Sequence, residues 1–341
     1  MALRQRVEQW LLTVWYGGKH YQRLGWYALL PLTALFCVLS AVKRWRDLRH
    51  QVRHAVPVMV VGNITVGGTG KTPLVIALVE RLQQAGFKPA VVSRGFGRHS
   101  TNQQAIAVQA NAAAATVGDE PLLIVQRTGI PLYIHRQRNR AIAAVLQQYP
   151  ECNVIISDDG LQHYRMGRSL EIAVVDGSRQ FGNGYCLPAG PLRETLKRLD
   201  TCDFVVVNAE TAPHPYFAMR LQFEQLVQLS TGQTQSLTQW QGKTVHAVTG
   251  IGNPQRFVRT LETAGLHVIL HAYPDHHAFT GDELRFADAL PVIMTEKDAV
   301  KCRQLPNLAT VTAENCWYLP ITAVLDDAFT TALLARLSND C

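Results

Sequence analysis

The sequence predicts an α/β protein in which helices cover parallel sheets, arranged as two α/β domains behind an apolar N-terminal segment. Short apolar runs such as Pro57–Gly62, Pro89–Ser93 and Asn153–Ser157 alternate with helical stretches, which is typical of βαβ units. The chain has 341 residues, a length that usually corresponds to two domains. The first fifty residues follow a different pattern, because residues 26–42 carry no charge.

We predict four segments along the chain. Residues 1–50 form the N-terminal helices, and residues 51–169 form the first α/β domain. The second and smaller α/β domain covers residues 170–322, and residues 323–341 form a helix that packs back on the first domain. Within the second domain, apolar and polar residues alternate over 215–229, which predicts half-exposed antiparallel strands in a small β linker.

The N-terminal segment is predicted to associate with a membrane. The uncharged stretch Trp26–Val42 is flanked by aromatic residues and followed directly by Lys43-Arg44-Trp45-Arg46, a pattern suited to an interface with anionic headgroups. It is shorter than the ~20 residues of a comfortable transmembrane helix, and Pro31 interrupts it. Whether the segment spans the bilayer or only dips into it stays open, and a buried helical hairpin is the alternative.

Composition restricts the partners and the kinds of site. The net charge is +7, which fits nucleic acid, anionic lipid or a phosphorylated substrate. The basic residues do not form one stripe interleaved with aromatic residues, so we expect no nucleic-acid partner. Seven dispersed cysteines without a C-x-x-C pair predict reduced thiols and no metal–cysteine site.

A phosphate-binding loop is predicted between the first strand and the helix after it. The segment Thr65–Thr72 reads Thr-Val-Gly-Gly-Thr-Gly-Lys-Thr, and its backbone N–H groups would surround a phosphate at a helix N-terminus. Lys71 would reach the outer phosphates, and the Thr72 hydroxyl would contact Mg²⁺. The strict P-loop pattern has glycine where this chain has Thr65. The loop residues are Gly67, Gly68, Thr69, Gly70, Lys71 and Thr72.

An acidic pair follows the buried strand at 153–157. An apolar strand that ends in carboxylates, here Asp158 and Asp159, is the second Mg²⁺ element of P-loop enzymes. Acidic residues before a glycine also form ordinary turns. The P-loop upstream favours the metal role.

Other polar residues stand at places where α/β proteins bind ligands. Arg94 follows a strand, and Asp119 begins a helix, where a carboxylate also serves as a cap. Arg138 lies between two further arginines, a pattern of either a solvated face or a phosphate clamp. A histidine beside an aspartate can act as a general base, but pairing Asp119 with His276 requires the two domains to face each other.

Several motifs in a fixed order resemble those of the tetraacyldisaccharide 4′-kinases, the lipid A 4′-kinases of bacterial inner membranes. The resemblance covers nearly the whole chain. The motifs are Val61-Gly-Asn-Ile-Thr-Val-Gly-Gly-Thr-Gly-Lys-Thr-Pro73, Ser93-Arg-Gly-Phe-Gly-Arg98, Gly118-Asp-Glu-Pro121, Asp158-Asp-Gly-Leu-Gln-His163, Leu187-Pro-Ala-Gly-Pro-Leu-Arg-Glu194, Pro274-Asp-His276 and Thr295-Glu-Lys-Asp298.

The resemblance implies a P-loop NTPase-like kinase that uses ATP and Mg²⁺ to phosphorylate the 4′-hydroxyl of tetraacyldisaccharide 1-phosphate. It implies that Asp119 and His276 form the dyad that activates this hydroxyl. It further implies a location at the cytoplasmic face of the bacterial inner membrane, whereas the oligomeric state stays open, with a monomer favoured. The remaining residues that it implies in the active site are Lys71, Thr72, Asp158 and Asp159 on phosphates and metal, Arg94, Arg138 and Arg193 on phosphates or the lipid headgroup, His163 nearby, and Glu120 and Glu194 as supporting carboxylates.

One rival function uses the same loop. A membrane-tethered P-loop ATPase that acts as a switch or chaperone would need Lys71, Thr72 and Asp159, but it would not need Asp119 with His276. A GTPase is disfavoured because Thr295-Glu-Lys-Asp298 lacks the Asn-Lys-x-Asp guanine signature.

Overall fold

The computed structural model describes residues 2–17, 27–95, 104–305 and 315–340. The α-helices are α1 (Ala2–Tyr16), α2 (Leu30–Arg49), α3 (Lys71–Gln84), α4 (Ala114–Val117), α5 (Asp119–Thr128), α6 (Arg138–Gln148), α7 (Pro254–Thr263), α8 (Glu296–Cys302) and α9 (Asp327–Asp340). The β-strands are β1 (Val58–Gly62), β2 (Pro89–Ser93), β3 (Ile106–Ala107), β4 (Leu132–Ile134), β5 (Val154–Asp158), β6 (Leu170–Asp176), β7 (Phe204–Asn208), β8 (Phe217–Gln222), β9 (Gln225–Gln228), β10 (Thr234–Ser236), β11 (Thr244–Thr249), β12 (His267–Ala272), β13 (Val292–Thr295), β14 (Cys316–Leu319) and β15 (Thr322–Leu325). Short 3₁₀ helices cover Leu196–Thr201, Leu237–Trp240 and Asp282–Leu284.

The first sheet has nine strands in the order β15-β8-β7-β6-β1-β5-β2-β4-β3. Its central strands are parallel, and β1 lies between β5 and β6, with Val61 opposite Asp158 on one side and Ile172 on the other. All five residues of β1 are buried, as expected for a central strand with helices on both faces. Because these strands are parallel, their carboxyl ends meet at one edge, which brings the ends of β1, β5, β6 and β7 together.

The second sheet has six strands in the order β10-β9-β14-β13-β11-β12. Strands β11 to β14 are parallel, whereas β9 and β10 are antiparallel to their neighbours. Two largely parallel sheets confirm the predicted α/β class.

The change of sheet occurs later than the predicted boundary at residue 170. Strand β6, which begins at Leu170, pairs with β1 and β7 in the middle of the first sheet. The chain enters the second sheet between β8 and β9 and returns between β14 and β15. The prediction was wrong because an apolar run shows that a strand is buried but does not show which sheet contains it.

The alternating segment 215–229 contributes one strand to each sheet. Strand β8 pairs parallel with β7 and antiparallel with β15, whereas β9 pairs with β10 and β14. The segment is half-exposed as predicted, and the antiparallel pair β8–β15 stands where the chain passes between the sheets.

The C-terminal segment begins as a strand. Residues 322–325 form β15, so the predicted helix starts later, at Asp327. Phe329, Leu333 and Leu337 are buried in the core cluster that also contains Met59 of β1, which places α9 on the first sheet.

Pro31 is the second residue of helix α2, which begins at Leu30 after a turn at residues 28–29 interrupts the apolar stretch. It stands in the first turn of α2, where its missing N–H has no intrahelical partner to lose. The helix then continues through the basic cluster to Arg49. Within the described ranges, none of the helices combines the length and the apolar character required to cross a membrane.

Candidate active site

The loop between β1 and α3 has the backbone of a phosphate cradle. Gly67 and Gly70 have φ values of 108° and 95°, which glycine adopts at little cost. Lys71 begins α3 and directs its Nζ to Asn63 Oδ1 at 3.2 Å and to Asp159 Oδ1 at 3.4 Å. Thr72 follows in the first turn of the same helix. The Lys71 ammonium is therefore held over the loop by the end of β5.

The two aspartates at the end of β5 have different environments. Asp158 is buried and accepts a hydrogen bond from Ser93 Oγ at 3.2 Å. Burial, with the charges of Glu120 and Asp159, raises the pKa of Asp158 to about 7. Asp159 has φ 48° and lies 3.5 Å from Arg193. Burial alone would raise the pKa of Asp159, but the charges of Lys71 and Arg193 outweigh it and lower that pKa.

This pair of carboxylates fits Mg²⁺. A buried carboxyl with a raised pKa, as in Asp158, lacks sufficient positive charge around it, and a divalent cation supplies that charge. Mg²⁺ binds proteins through one or two carboxylates together with substrate phosphates and water. Asp158, Asp159 and the hydroxyl of Thr72 provide such a set. In the part of the chain that the structure describes, no group of three or more His, Cys, Asp or Glu side chains forms a closed metal cage.

Asp119 and His276 meet across the two sheets. Asp119 begins α5, a helix of the domain that contains the first sheet. His276 lies in the loop after β12 of the second sheet. Nδ1 of His276 lies 3.0 Å from Asp119 Oδ2 and 3.2 Å from Oδ1. Burial would raise the pKa of Asp119, but the hydrogen bond with His276 and the charge of Lys297 lower it to about 2. The same hydrogen bond raises the pKa of His276 despite burial. The two domains therefore face each other as this pairing requires.

Lys297 stands beside this pair, although the sequence analysis assigned it no role. Its Nζ lies 3.1 Å from Glu120 Oε1, 3.5 Å from Asp275 Oδ1 and 3.7 Å from Asp119 Oδ2. Burial would lower the pKa of Lys297, but the carboxylates of Glu120, Asp119 and Asp275 outweigh it and raise that pKa. Glu120 thus supports the dyad through this ammonium group. The signal in the sequence that could have identified Lys297 was its place in the motif Thr295-Glu-Lys-Asp298.

Arg138 does not lie on the binding surface. Its side chain is 2% exposed, and its guanidinium donates to the backbone carbonyls of His135 at 3.2 Å and Asp158 at 3.1 Å. The predicted contact with phosphates or headgroup is therefore wrong, because the guanidinium is buried behind β5, where it fixes the strand end. The backbone N–H of Arg138 donates to His163 Nε2 at 3.3 Å. Burial, together with Arg138 and Arg168, lowers the pKa of His163 to about 4, so this ring is neutral.

Arg193 and Glu194 lie at the same edge of the first sheet. Arg193 is partly exposed beside Asp159, whereas Glu194 accepts hydrogen bonds from Gln162 at 3.0 Å and from the hydroxyl of Tyr164. Glu194 is therefore held by two neighbouring side chains, and its role as a supporting carboxylate stays a prediction. Arg94 is exposed at the end of β2, and residues 96–98 of its motif lie outside the described residues.

A second link between the sheets reaches the phosphate loop. Asn208, at the end of β7, donates from Nδ2 to the carbonyl of Thr69 at 3.1 Å. Its Oδ1 accepts a hydrogen bond from Arg256 of α7 at 2.9 Å, and Arg256 also lies 3.8 Å from Asp176. Sequence reasoning missed Asn208 and Arg256, because neither belongs to a recognisable motif. Asn63, within the quoted loop motif, was also given no role.

Comparison with known proteins identifies the family of this chain. A family model for tetraacyldisaccharide-1-P 4′-kinase matches residues 26–338. The chain is 47% identical over 340 residues to the tetraacyldisaccharide 4′-kinase of Methylobacillus flagellatus, covering 98% of both chains. It is 46% identical over 345 residues to that of Azotobacter vinelandii, covering 99% of both. LpxK from Aquifex aeolicus, in complex with ATP, shares the fold with a TM-score of 0.75 at 23% identity, over 92% of this chain and 99% of that one. This chain therefore belongs to the tetraacyldisaccharide-1-P 4′-kinase family.

Proposed function

We propose that this protein transfers the γ-phosphate of ATP to the 4′-hydroxyl of a tetraacyldisaccharide 1-phosphate, a step of lipid A biosynthesis. The observation that carries the proposal is the 3.0 Å contact between His276, in the loop after β12, and Asp119, at the start of α5. A phosphate-binding loop alone serves hydrolysis or signalling equally well. A general-base pair held beside it is what an alcohol acceptor needs.

Two groups of residues carry out the reaction: one binds ATP and the metal, and the other activates the acceptor hydroxyl. The loop 67–72 binds and orients the phosphates of ATP, and Lys71 neutralises their charge. Thr72, Asp158 and Asp159 would hold Mg²⁺, which when bound neutralises and orients the phosphates. The Asp119–His276 pair takes the proton of the acceptor hydroxyl as its oxygen bonds to the γ-phosphorus, and the bond from that phosphorus to the leaving oxygen of ADP breaks.

The protein is further proposed to work at the cytoplasmic face of the bacterial inner membrane, where ATP meets an acylated substrate. One face of α2 exposes apolar side chains at intervals of three or four residues, and among them Val38 and Leu39 are 59% and 60% exposed. This exposed face of α2 consists of Leu32, Leu35, Val38, Leu39, Val42 and Trp45. Exposed basic residues follow at Lys43, Arg46 and Arg49. Such a helix lies in the interface with its apolar face among the acyl chains.

Labelled ATP and detergent-dispersed disaccharide 1-phosphate test the kinase activity. The wild-type protein is expected to yield a labelled bis-phosphorylated lipid. Asp119→Asn and His276→Asn are expected to lower kcat by about 10²- to 10⁴-fold with little change in ATP affinity. Lys71→Ala should impair both, and the exposed His267→Asn is the matched control. ATP hydrolysis that is equal with and without lipid, with no labelled product, refutes the kinase and favours the ATPase.

Sedimentation with phosphatidylglycerol-containing vesicles tests the membrane face. Replacing Leu35, Val38 and Val42 with Gln is expected to lower vesicle binding by at least about tenfold, because each buried apolar side chain contributes roughly 1.5–3 kcal/mol. Ile269→Gln, at an exposed apolar residue of the second sheet, is the control. Equal vesicle binding by the triple variant and the control contradicts this part of the proposal.

A further inference from the structure

The interface between the sheets is formed largely by helices α5 and α8. Glu296 in the first turn of α8 accepts hydrogen bonds from Arg127 near the end of α5 at 2.8 and 3.0 Å. One residue further, Lys297 reaches the first turn of α5 and contacts Glu120 and Asp119. The two helices are therefore tied at both ends of α5, and the second tie ends on a residue of the dyad.

Asp298, the next residue of α8, supports the other half of the dyad. Its side chain is fully buried, and Oδ2 accepts hydrogen bonds from Thr295 Oγ1 at 2.6 Å, Thr249 Oγ1 at 3.0 Å and Gly250 N at 3.1 Å. The carbonyl of Gly250 in turn accepts the N–H of His276 at 3.2 Å. His276 has φ 61°, an unfavourable backbone that persists only where surrounding contacts fix it. Asp298 thus fixes the turn that supports His276.

We propose that Lys297 is a positioning residue for phosphoryl transfer: its ammonium group joins Asp119 and Glu120 of one domain to Asp275 of the other and holds the domains where the dyad forms. Its side chain is 17% exposed, so the three contacts are poorly screened. Asp275 directly precedes His276 and is also 3.9 Å from its Nε2. Lys297 therefore acts on both members of the dyad without lying in the phosphate loop.

The charge of Lys297 also affects the proton affinity of the dyad. The groups that face Asp119 are His276, Lys297, the more distant Lys301 and the neighbouring Glu120. Both lysines lower the pKa of Asp119, and Lys297 lowers that of His276 as well. Removing one positive charge raises the pKa of both members, so the dyad loses its proton at higher pH.

The test compares Lys297→Met, which keeps the length of the side chain, with Lys297→Arg, which keeps the charge. Lys297→Met is expected to lower kcat by about 10- to 100-fold, because small displacements of reacting groups have effects of this size. The acid limb of its pH–rate profile should move about one unit to higher pH. The KM for ATP should change less than about threefold, since Lys297 contacts Glu120, Asp119 and Asp275, which lie outside loop 67–72. Lys297→Arg should recover most of kcat, and the exposed Lys243→Met is the control.

The inference rests on the proposed role of the dyad, and the two fail differently. If Asp119→Asn retains wild-type kcat, the dyad itself is refuted. If Asp119→Asn is impaired while Lys297→Met keeps wild-type kcat and pH profile, only the role of Lys297 is refuted. If Lys297→Met loses activity in proportion to folded protein, with an unchanged acid limb, Lys297 is merely structural and the inference is again overturned.

Discussion

Replacing Gly70 with Ala is expected to destabilise the first domain through two separate effects. Gly70 has φ 95° and ψ 22°, a left-handed conformation that costs a non-glycine residue about 1–2 kcal/mol. A Cβ on Gly70 would also lie 2.6 Å from Asn208 Nδ2, the atom that donates to the Thr69 carbonyl. Displacing Asn208 loses that hydrogen bond, a further cost of about 1 kcal/mol. The free energy of unfolding should therefore fall by about 2–3 kcal/mol.

Two other glycines separate these effects. Gly86 has φ 86° and open space around its Cβ position, so Gly86→Ala should show the backbone cost alone. A Cβ added at Gly68 would have no neighbour within 4 Å, and the φ of Gly68 is not left-handed. Gly68→Ala should therefore be neutral or slightly stabilising.

Thermal unfolding without nucleotide measures the series. One kcal/mol shifts Tm by about 2–4 °C in a domain of this size, so Gly70→Ala should lower Tm by about 5–10 °C and Gly86→Ala by about half of that or less. Calorimetry should then show weaker ATP binding by Gly70→Ala. If Gly70→Ala and Gly86→Ala have the same Tm, Asn208 moves aside without cost and the argument from the close contact is wrong.

Three further predictions concern charges and the link between the sheets. Arg256→Met should weaken ATP binding about fivefold in calorimetry, because it removes a hydrogen bond of about 1 kcal/mol that orients Asn208 behind the phosphate loop. The stability that Asp119 contributes is fully present above its unfolded pKa of about 3.8 and is lost as pH falls towards 2. Urea unfolding should therefore show wild type losing about 2 kcal/mol more than Asp119→Asn between pH 5 and pH 2, and equal losses contradict this. Arg198→Met removes one of the two guanidinium partners of buried Glu171, which keeps Arg168 at 2.6 Å, and should cost about 1.5–3 kcal/mol in the same assay, less than the double variant that also carries Arg168→Met and leaves the carboxylate unpaired.

Local sequence predicted the phosphate loop because everything that forms it is contiguous. Strand β1, the glycine turn and α3 occupy residues 58–84 without interruption, and the left-handed φ values fall on Gly67 and Gly70. The acidic pair was equally accessible, since it directly follows a buried strand. Parallel pairing of β1 with β5 then brings Lys71 to Asp159, a contact that the sequence analysis did not predict.

Contacts between distant segments were not predictable from the residues alone. The pairing of Asp119 with His276 came from the resemblance, since the sequence alone does not show whether two residues so far apart in the chain are close in space. Arg138 was misplaced because a row of arginines looks the same whether its members point to solvent or are buried behind a strand. Lys297 was missed because its three carboxylate partners come from helix α5 and from a loop that is distant in sequence.

The predicted domain boundary at residue 170 was wrong for a related reason. The run Leu170–Asp176 is fully buried, as β13 of the second sheet is, and only its pairing with β1 and β7 assigns it to the first. Proline often ends a helix, but Pro31 stands in the first turn of α2, where its missing N–H has no intrahelical partner to lose.

The proposed membrane face and the catalytic edge are joined by one short loop. Thr33, on the inner face of α2, accepts the N–H of Ala189 at 3.0 Å, and Trp15 of α1 donates to the carbonyl of Pro188 at 3.0 Å. Four residues after Ala189, Arg193 reaches Asp159. A helix that settled at the bilayer would therefore set the height above it of Asp159, one of the proposed Mg²⁺ ligands. The dyad depends on a second sheet that contacts the first through α5 and α8. Because an acyl-anchored hydroxyl cannot leave the surface, the reaction requires the contact of α2 with the loop at Ala189 and the contact of α5 with α8 at the same time.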